Sequence, residues 1–175
     1  MSRLILELSA ISAEGISQRF TSTGIALGIV DLELTVAQPI ELECQFYKVR
    51  REVVVLGTLY SAVRLTCSRC AEEFTQALHV MLDAVYLPMQ ELSSERAKEL
   101  EEGVTDVYPY TEPVIDIAEM VRDKLLLSIP LQPHCMGGCK GLCPSCGVNR
   151  NTVSCQCAEE KLGSPFELLK GLRLS

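Results

Sequence analysis

Six of the nine cysteines in this 175-residue chain fall within Cys135–Cys157, a glycine-spaced stretch with too few apolar side chains to fold by burial alone. Deprotonated cysteines in pairs two to four residues apart are the usual way a chain supplies a closed tetrahedral zinc site. Cys143-Pro144-Ser145-Cys146-Gly147 is a strong form of that signal, because two intervening residues let both sulfurs converge and the glycine accepts the positive φ that follows the second ligand. Cys155 and Cys157 lie one residue apart, and on an extended strand both would point to one side. Cys143, Cys146, Cys155 and Cys157 therefore read as one compact ribbon-like site. Cys135 and Cys139 need two further ligands, and Cys67 with Cys70, far upstream in Cys67-Ser68-Arg69-Cys70, can provide them. That second site would staple the tail to the rest of the fold. The expectation is two structural zinc ions held by Cys67, Cys70, Cys135, Cys139, Cys143, Cys146, Cys155 and Cys157. His134 is a competing ligand, set behind a capping or surface role because four sulfurs are already available for each ion.

Cys44 is left over, on the same side of its segment as Ile40, Leu42 and Phe46, and reads as a small core hydrophobe. A redox reading of Cys67-Ser68-Arg69-Cys70 is open, since Arg69 would lower a thiol pKa, but the pair lies between two strands and lacks the strand-then-helix setting of thioredoxin-like motifs. No hydroxyl–histidine–acid set, phosphate-cradling glycine loop or dinucleotide fingerprint is present, so the chain reads as no enzyme and without a small-molecule substrate. His79 carries no assigned role.

The elements that must position these sulfurs follow from periodicity. From Ile29 to Phe46 apolar and polar residues alternate, with Val30, Leu32, Leu34 and Val36, then Ile40, Leu42, Cys44 and Phe46, on one side. Two half-buried antiparallel strands joined by a turn at Gln38-Pro39 are expected. Further strands run from Val53 to Thr66 and from Phe74 to Tyr86, with the first cysteine pair in the turn between them. Residues 93–103 read as an exposed acidic helix or insertion ended by Gly103. Asp116 and Glu119 open a clearer helix whose stripe of Ile117, Met120, Val121, Leu125 and Ser128 should pack on the sheet before Pro130 stops it. Ser164-Pro165-Phe166 starts a short closing helix. The fold class is α+β: an antiparallel β meander or small open barrel with one or two packed helices and a C-terminal cysteine-rich zinc-binding tail. Residues 1–130 form the β-rich domain with its acidic insertion and packing helix, and residues 131–175 the tail.

Net charge is −7, but residues 91–123 hold ten acids against three bases, so the acidity is mostly one belt. Two zinc–tetrathiolate sites would each add about −2, which argues against RNA affinity from net charge and leaves only local patches to supply it. Candidate phosphate contacts are Lys48, Arg50, Arg51, Arg64, Arg69, Arg122, Lys140 and Arg150. No apolar run approaches the roughly eighteen residues of a membrane span, and no secretory signal is read at the start, so no membrane partner and a cytoplasmic address are expected.

The order of these features resembles the bacterial and plastid YceD-like family, named for accumulation of large-subunit ribosomal RNA. The likeness is carried by Val63-Arg64-Leu65-Thr66-Cys67-Ser68-Arg69-Cys70, by Ile115-Asp116-Ile117-Ala118-Glu119 leading to Leu131-Gln132-Pro133, by Gly141-Leu142-Cys143-Pro144-Ser145-Cys146-Gly147-Val148-Asn149 with Cys155-Gln156-Cys157, and by Ser164-Pro165-Phe166. Some members have the first pair and a His/Cys pair after the prolines but lack the ribbon, which matches the division into a stapling site and an added one. The resemblance implies a non-enzymatic factor for large-subunit rRNA processing or accumulation and ribosome assembly. Its partners would be an rRNA precursor or ribosomal and processing proteins. A protein–protein adaptor without RNA contact and a zinc-thiolate redox sensor are the alternatives.

Overall fold

A computed structural model describes residues 4–30, 34–91, 106–111 and 113–157. The acidic segment 93–103 and the closing helix from Ser164 fall outside these residues. The main sheet contains β2 (Ile16–Ser22), β3 (Thr35–Val36), β4 (Ile40–Val49), β5 (Glu52–Thr66), β6 (Glu73–Pro88) and β7 (Asp106–Tyr110), in the order β2-β4-β5-β6-β7 with β3 also paired to β5. A separate two-stranded ribbon joins β1 (Ile5–Glu7) to β8 (Val114–Asp116).

Alternation decides the faces. Ile40, Leu42, Cys44 and Phe46 of β4 are buried while Glu41, Glu43, Gln45 and Tyr47 are exposed. Leu78, Leu82, Ala84 and Tyr86 of β6 continue the same core, with Phe74 and Val80 packed against it. The β5–β6 hairpin is the backbone of the molecule, paired without interruption from Val53↔Tyr86 to Thr66↔Glu73. At about 3.3 Å per residue its arms have contour lengths of about 50 Å. The hairpin therefore carries its connecting turn far from the β4–β5 end of the sheet.

Antiparallel pairing of β4, β5 and β6 makes the expected meander, but among the described residues the sheet is open and does not close into a barrel. Two further differences stand out. The break at Gln38-Pro39 is not a hairpin turn: β3 and β4 both lie antiparallel along the same edge of β5. Ala37 and Gln38 both donate to the carbonyl of Ala62, at 2.8 and 3.4 Å, so two residues face one, and Pro39 has no N–H to continue the ladder. Strand β7 is parallel to β6 and occupies an edge, where Pro109 is tolerated.

One helix, α1 (Ala118–Leu127), lies among the described residues. Asp116 Oδ1 accepts the Ala118 N–H at 2.9 Å and satisfies one of the helix's initial donors. Met120, Val121 and Leu125 are buried in the sheet's core beside Ile115 and Ile117. Lys124 Nζ ties the helix to β6 and β7 through Asp83 at 2.7 Å and Asp106 at 2.8 Å. Ser128 Oγ then donates to the Leu125 carbonyl at 2.6 Å, and Pro130 prevents further winding. The chain leaves α1 toward the β5–β6 turn.

Candidate metal centres

The turn between β5 and β6 is built to present two sulfurs. Cys67 N–H donates to Glu72 O at 2.9 Å, Ala71 N–H donates back to Cys67 O at 2.9 Å, and Ala71 takes a φ of 58°. The same construction recurs in the tail, where Cys143 N–H donates to Val148 O at 2.9 Å, Gly147 N–H to Cys143 O at 2.8 Å, and Gly147 has φ 74°. Both sequences read Cys-x-x-Cys followed by a residue in the left-handed region, which turns the backbone so that the two sulfurs face one point. Gly147 suits that geometry and Ala71 adopts it under strain.

The tail docks on the hairpin tip through two backbone bonds and one from a side chain. Ser68 N–H donates to Pro133 O at 2.8 Å, Leu142 N–H donates to Arg69 O at 3.1 Å, and Arg69 Nη1 donates to Cys139 O at 3.1 Å. Gly141, at φ 71°, sits so close that a Cβ there would lie 3.0 Å from the Arg69 carbonyl. These contacts bring Cys135 and Cys139 to Cys67 and Cys70.

Four sulfurs, from Cys67, Cys70, Cys135 and Cys139, lie within 4.8 Å of one another and form the anchoring cluster. The sulfurs of Cys67 and Cys139 are 3.8 Å apart and those of Cys70 and Cys135 are 3.7 Å apart. A tetrahedron with metal–sulfur bonds of about 2.3 Å has sulfur–sulfur edges of about 3.8 Å. A disulfide would need about 2.05 Å, so these are ligand spacings and not bridges. Cys67, Cys70 and Cys139 are buried together, and Phe74 packs against them as well as against the main core. Cys143, Cys146, Cys155 and Cys157 form a second such group, the tail cluster, also within 4.8 Å. Here only Cys143 is buried, while Cys146 and Cys157 are exposed. Cys155 and Cys157 converge from irregular chain and not from a strand. His134 joins neither group among the described residues.

The electrostatics of each cluster suit a cation. In the anchoring cluster burial works against ionisation of Cys67, but N–H groups of Cys135, Cys70 and Arg69 overcome it and pull that thiol down to about 5. The contribution of Arg69 is its backbone N–H, 3.5 Å from Cys67 Sγ, and not its guanidinium. Cys139 is lowered, first by a hydrogen bond from Asn151, whereas burial and the neighbouring thiols push Cys135 up to about 12. Cys70 is raised as well: the Glu72 backbone bond lowers it, but burial and the bonds with Cys67 and Cys139 outweigh that. The tail cluster repeats the split, with Cys143 lowered to about 6 by the N–H groups of Cys146 and Ser145, and Cys157 raised to about 12 by its bond with Cys146 and by burial. Like charges this close cannot all form unless a divalent ion shares them. The donor set fits such an ion, and with four sulfurs each site is closed to a fifth ligand.

Two features of the site escaped sequence reading. Ala71 is the positional equivalent of Gly147, a correspondence visible once the two Cys-x-x-Cys runs are aligned. Asn151, between Cys146 and Cys155, bonds the anchoring cluster itself at Cys139 Sγ and Asn149 reaches Glu72 beside it, and only their alternation hinted that they share a side. Cys44 is buried on the core face as expected, and burial pushes its thiol up to about 11. His79 is exposed and stacks on Tyr60, with ring centres 4.8 Å apart. The eight basic residues singled out for phosphate are all exposed but divided: Lys48, Arg50 and Arg51 lie at the β4–β5 turn, Arg122 on α1, and Arg64, Arg69, Lys140 and Arg150 around the cysteines.

An open, mostly antiparallel sheet with one packed helix, whose longest hairpin presents a cysteine pair to a cysteine-rich tail, defines a class of sheet proteins with metal-binding capacity. Residues 55–173 match the family described as large ribosomal RNA subunit accumulation protein YceD, and the chain belongs to that family. It is similar to the large ribosomal RNA subunit accumulation protein YCED homolog 1, chloroplastic, of Arabidopsis thaliana, 22% identical over 96% of this chain and 59% of the relative. The Zea mays protein of the same description is 28% identical over 87% of this chain and 60% of its own length. An uncharacterized protein of Mycobacterium tuberculosis is 28% identical over 62% of this chain and 50% of its own. The chain thus spans between half and three-fifths of these relatives. No solved structure matches. Among the described residues no helix is long and apolar enough to cross a membrane.

Proposed function

We propose that this chain is a non-enzymatic factor, stabilised by two structural zinc ions, that supports processing or accumulation of large-subunit ribosomal RNA during ribosome assembly in the cytoplasm. The observation that carries the reading is the anchoring cluster: four sulfurs at tetrahedral spacing, two from a hairpin tip and two from the tail, in a chain of the YceD family. Four-sulfur tetrahedra favour zinc or iron. A closed tetrathiolate leaves no position for a substrate or an activated water, which favours architecture over catalysis.

The partner is read as a large-subunit precursor, approached through the cysteine-bearing end of the sheet, where Arg64, Arg69, Lys140 and Arg150 are exposed. In cells, crosslinking followed by sequencing of attached RNA should recover large-subunit precursor, and cells lacking the chain should accumulate less large-subunit than small-subunit rRNA. Recovery of no ribosomal RNA or protein would sink the reading. An adaptor that meets only protein is favoured by one specific feature: two tetrathiolate ions carry about −4 together and offset the four nearby bases. Association with precursor subunits that survives ribonuclease would select the adaptor. The exposure of Cys146 and Cys157 is what favours a redox sensor, and zinc release at low peroxide doses with altered partner binding would select that.

A further inference from the structure

We propose that Asn151 is a positioning residue that couples the two clusters, so that an ion in the tail cluster tightens the hold of the anchoring cluster on its own ion. The inference rests on reading both clusters as metal sites. Asn151 belongs to the loop between Cys146 and Cys155, whose two ends are ligands of the tail cluster. Its side chain nevertheless serves the other cluster. Asn151 Nδ2 donates to Cys139 Sγ at 3.3 Å, and Asn151 Oδ1 accepts the N–H of Lys140, the next residue, at 2.8 Å. The amide thus grips one anchoring ligand by its sulfur and by the backbone that follows it.

Asn149 braces that grip from the same loop. Its Oδ1 accepts both Asn151 N–H at 3.0 Å and Asn151 Nδ2 at 2.9 Å, and its own Nδ2 donates to Glu72 Oε1 at 3.3 Å, two residues beyond Cys70. Arg150 N–H donates to Gly141 O at 2.9 Å between the two asparagines. The loop therefore lies across both halves of the anchoring cluster.

A loop is held in place when its ends are fixed, and an ion on Cys143, Cys146, Cys155 and Cys157 fixes both ends of this one. Without it, placing the Asn151 amide against Cys139 costs the loop its conformational freedom. A donor aimed at a ligand sulfur orients it and stabilises its thiolate, and loss of such outer partners typically weakens metal binding by about 10–100-fold. Coupling of this kind is reciprocal, so the anchoring ion equally favours the tail ion.

The test follows individual cysteines in the full, zinc-loaded, reduced chain. Alkylation is mapped by mass spectrometry while a zinc chelator is raised, and the chelator concentration that exposes Cys67 and Cys70 is recorded. Asn151→Leu, which removes the donor, should lower that concentration by about 10-fold or more. Disabling the tail cluster with Cys155→Ser and Cys157→Ser should lower it by a similar factor, and combining the two changes should add little. Asn151→Asp keeps the acceptor for Lys140 and loses the donor to sulfur, so it must weaken protection even if Asn151→Leu fails to fold. Unchanged protection of Cys67 and Cys70 in Asn151→Asp, or additive losses in the combined variant, would overturn the coupling. Protection in the unaltered chain that does not respond to chelator would instead overturn the metal reading beneath it.

Discussion

The two clusters use the same turn and the same donor set, yet they do different work because their ligands come from different distances along the chain. The anchoring cluster joins sulfurs 72 and 65 residues apart and buries three of its four cysteines. The tail cluster draws all four from Cys143–Cys157 and leaves two exposed. A long-range closure restrains a large part of the unfolded chain, whereas a local one mainly shapes its own loop. The first is thus an element of the tertiary fold, and the second is a local module set against it. Spacing in sequence, more than chemistry, assigns each cluster its role.

The largest effect that could break this comparison is loss of an anchoring ligand. Cys67→Ser or Cys70→Ser should free the tail, raising the rate of limited proteolysis between residues 131 and 142 by about 10-fold or more, while Cys146→Ser at saturating zinc leaves it docked. Equal sensitivity of the two variants would erase the distinction. Graded chelation at neutral pH comes next: Cys146 and Cys157 should become alkylated at lower chelator than Cys67 and Cys70, because exposed thiolates are reached first. The reverse order would contradict the assignment of the local module.

Cys44 sharpens the contrast from outside both clusters. Its thiol is held up to about 11 by burial, so it stays neutral where Cys67 and Cys143, lowered to about 5 and about 6, ionise. A group whose folded pKa is raised contributes stability below its unfolded value near 9, and loses it as pH rises toward 11. Cys44→Ala should cost about 1 kcal/mol at neutral pH in denaturant melts, yet show a flatter decline between these two values. Parallel profiles would place the alkaline loss elsewhere. The smallest effect concerns the two turns themselves. Ala71→Gly should stabilise the chain by about 0.5–1 kcal/mol, relief of the left-handed strain exceeding the added freedom of the unfolded backbone. Gly147→Ala should do the opposite, and neutral results at both positions would mean that neither turn imposes the left-handed strain.

Much of this was legible because it is local. Period-two alternation at Ile40–Phe46 and along β6 gave the core face, and Asp116 with the following apolar stripe gave α1. The cysteine partition could be read because short spacings restrict which sulfurs share an ion and leave few ways to combine the remainder. What stayed hidden depends on partners distant in sequence. The alternation on both sides of Pro39 fits a hairpin as well as one interrupted edge, and only the pairing of Thr35 and Val36 with β5 decides between them. The parallel return of β7 and the β1–β8 ribbon leave no periodic signature in three to five residues. Asn149 and Asn151 look like ordinary loop polar residues until Cys139 is placed beside them.

Amide hydrogen exchange at Ser68 and Leu142 tests the central claim most directly, since their N–H groups bond across the junction to Pro133 and Arg69. In the reduced chain freed of metal both amides should exchange rapidly, gain protection as zinc fills the anchoring cluster, and lose it again with chelator. Equal protection of both amides in the metal-free reduced chain would show that the tail docks without an ion, and would contradict the account.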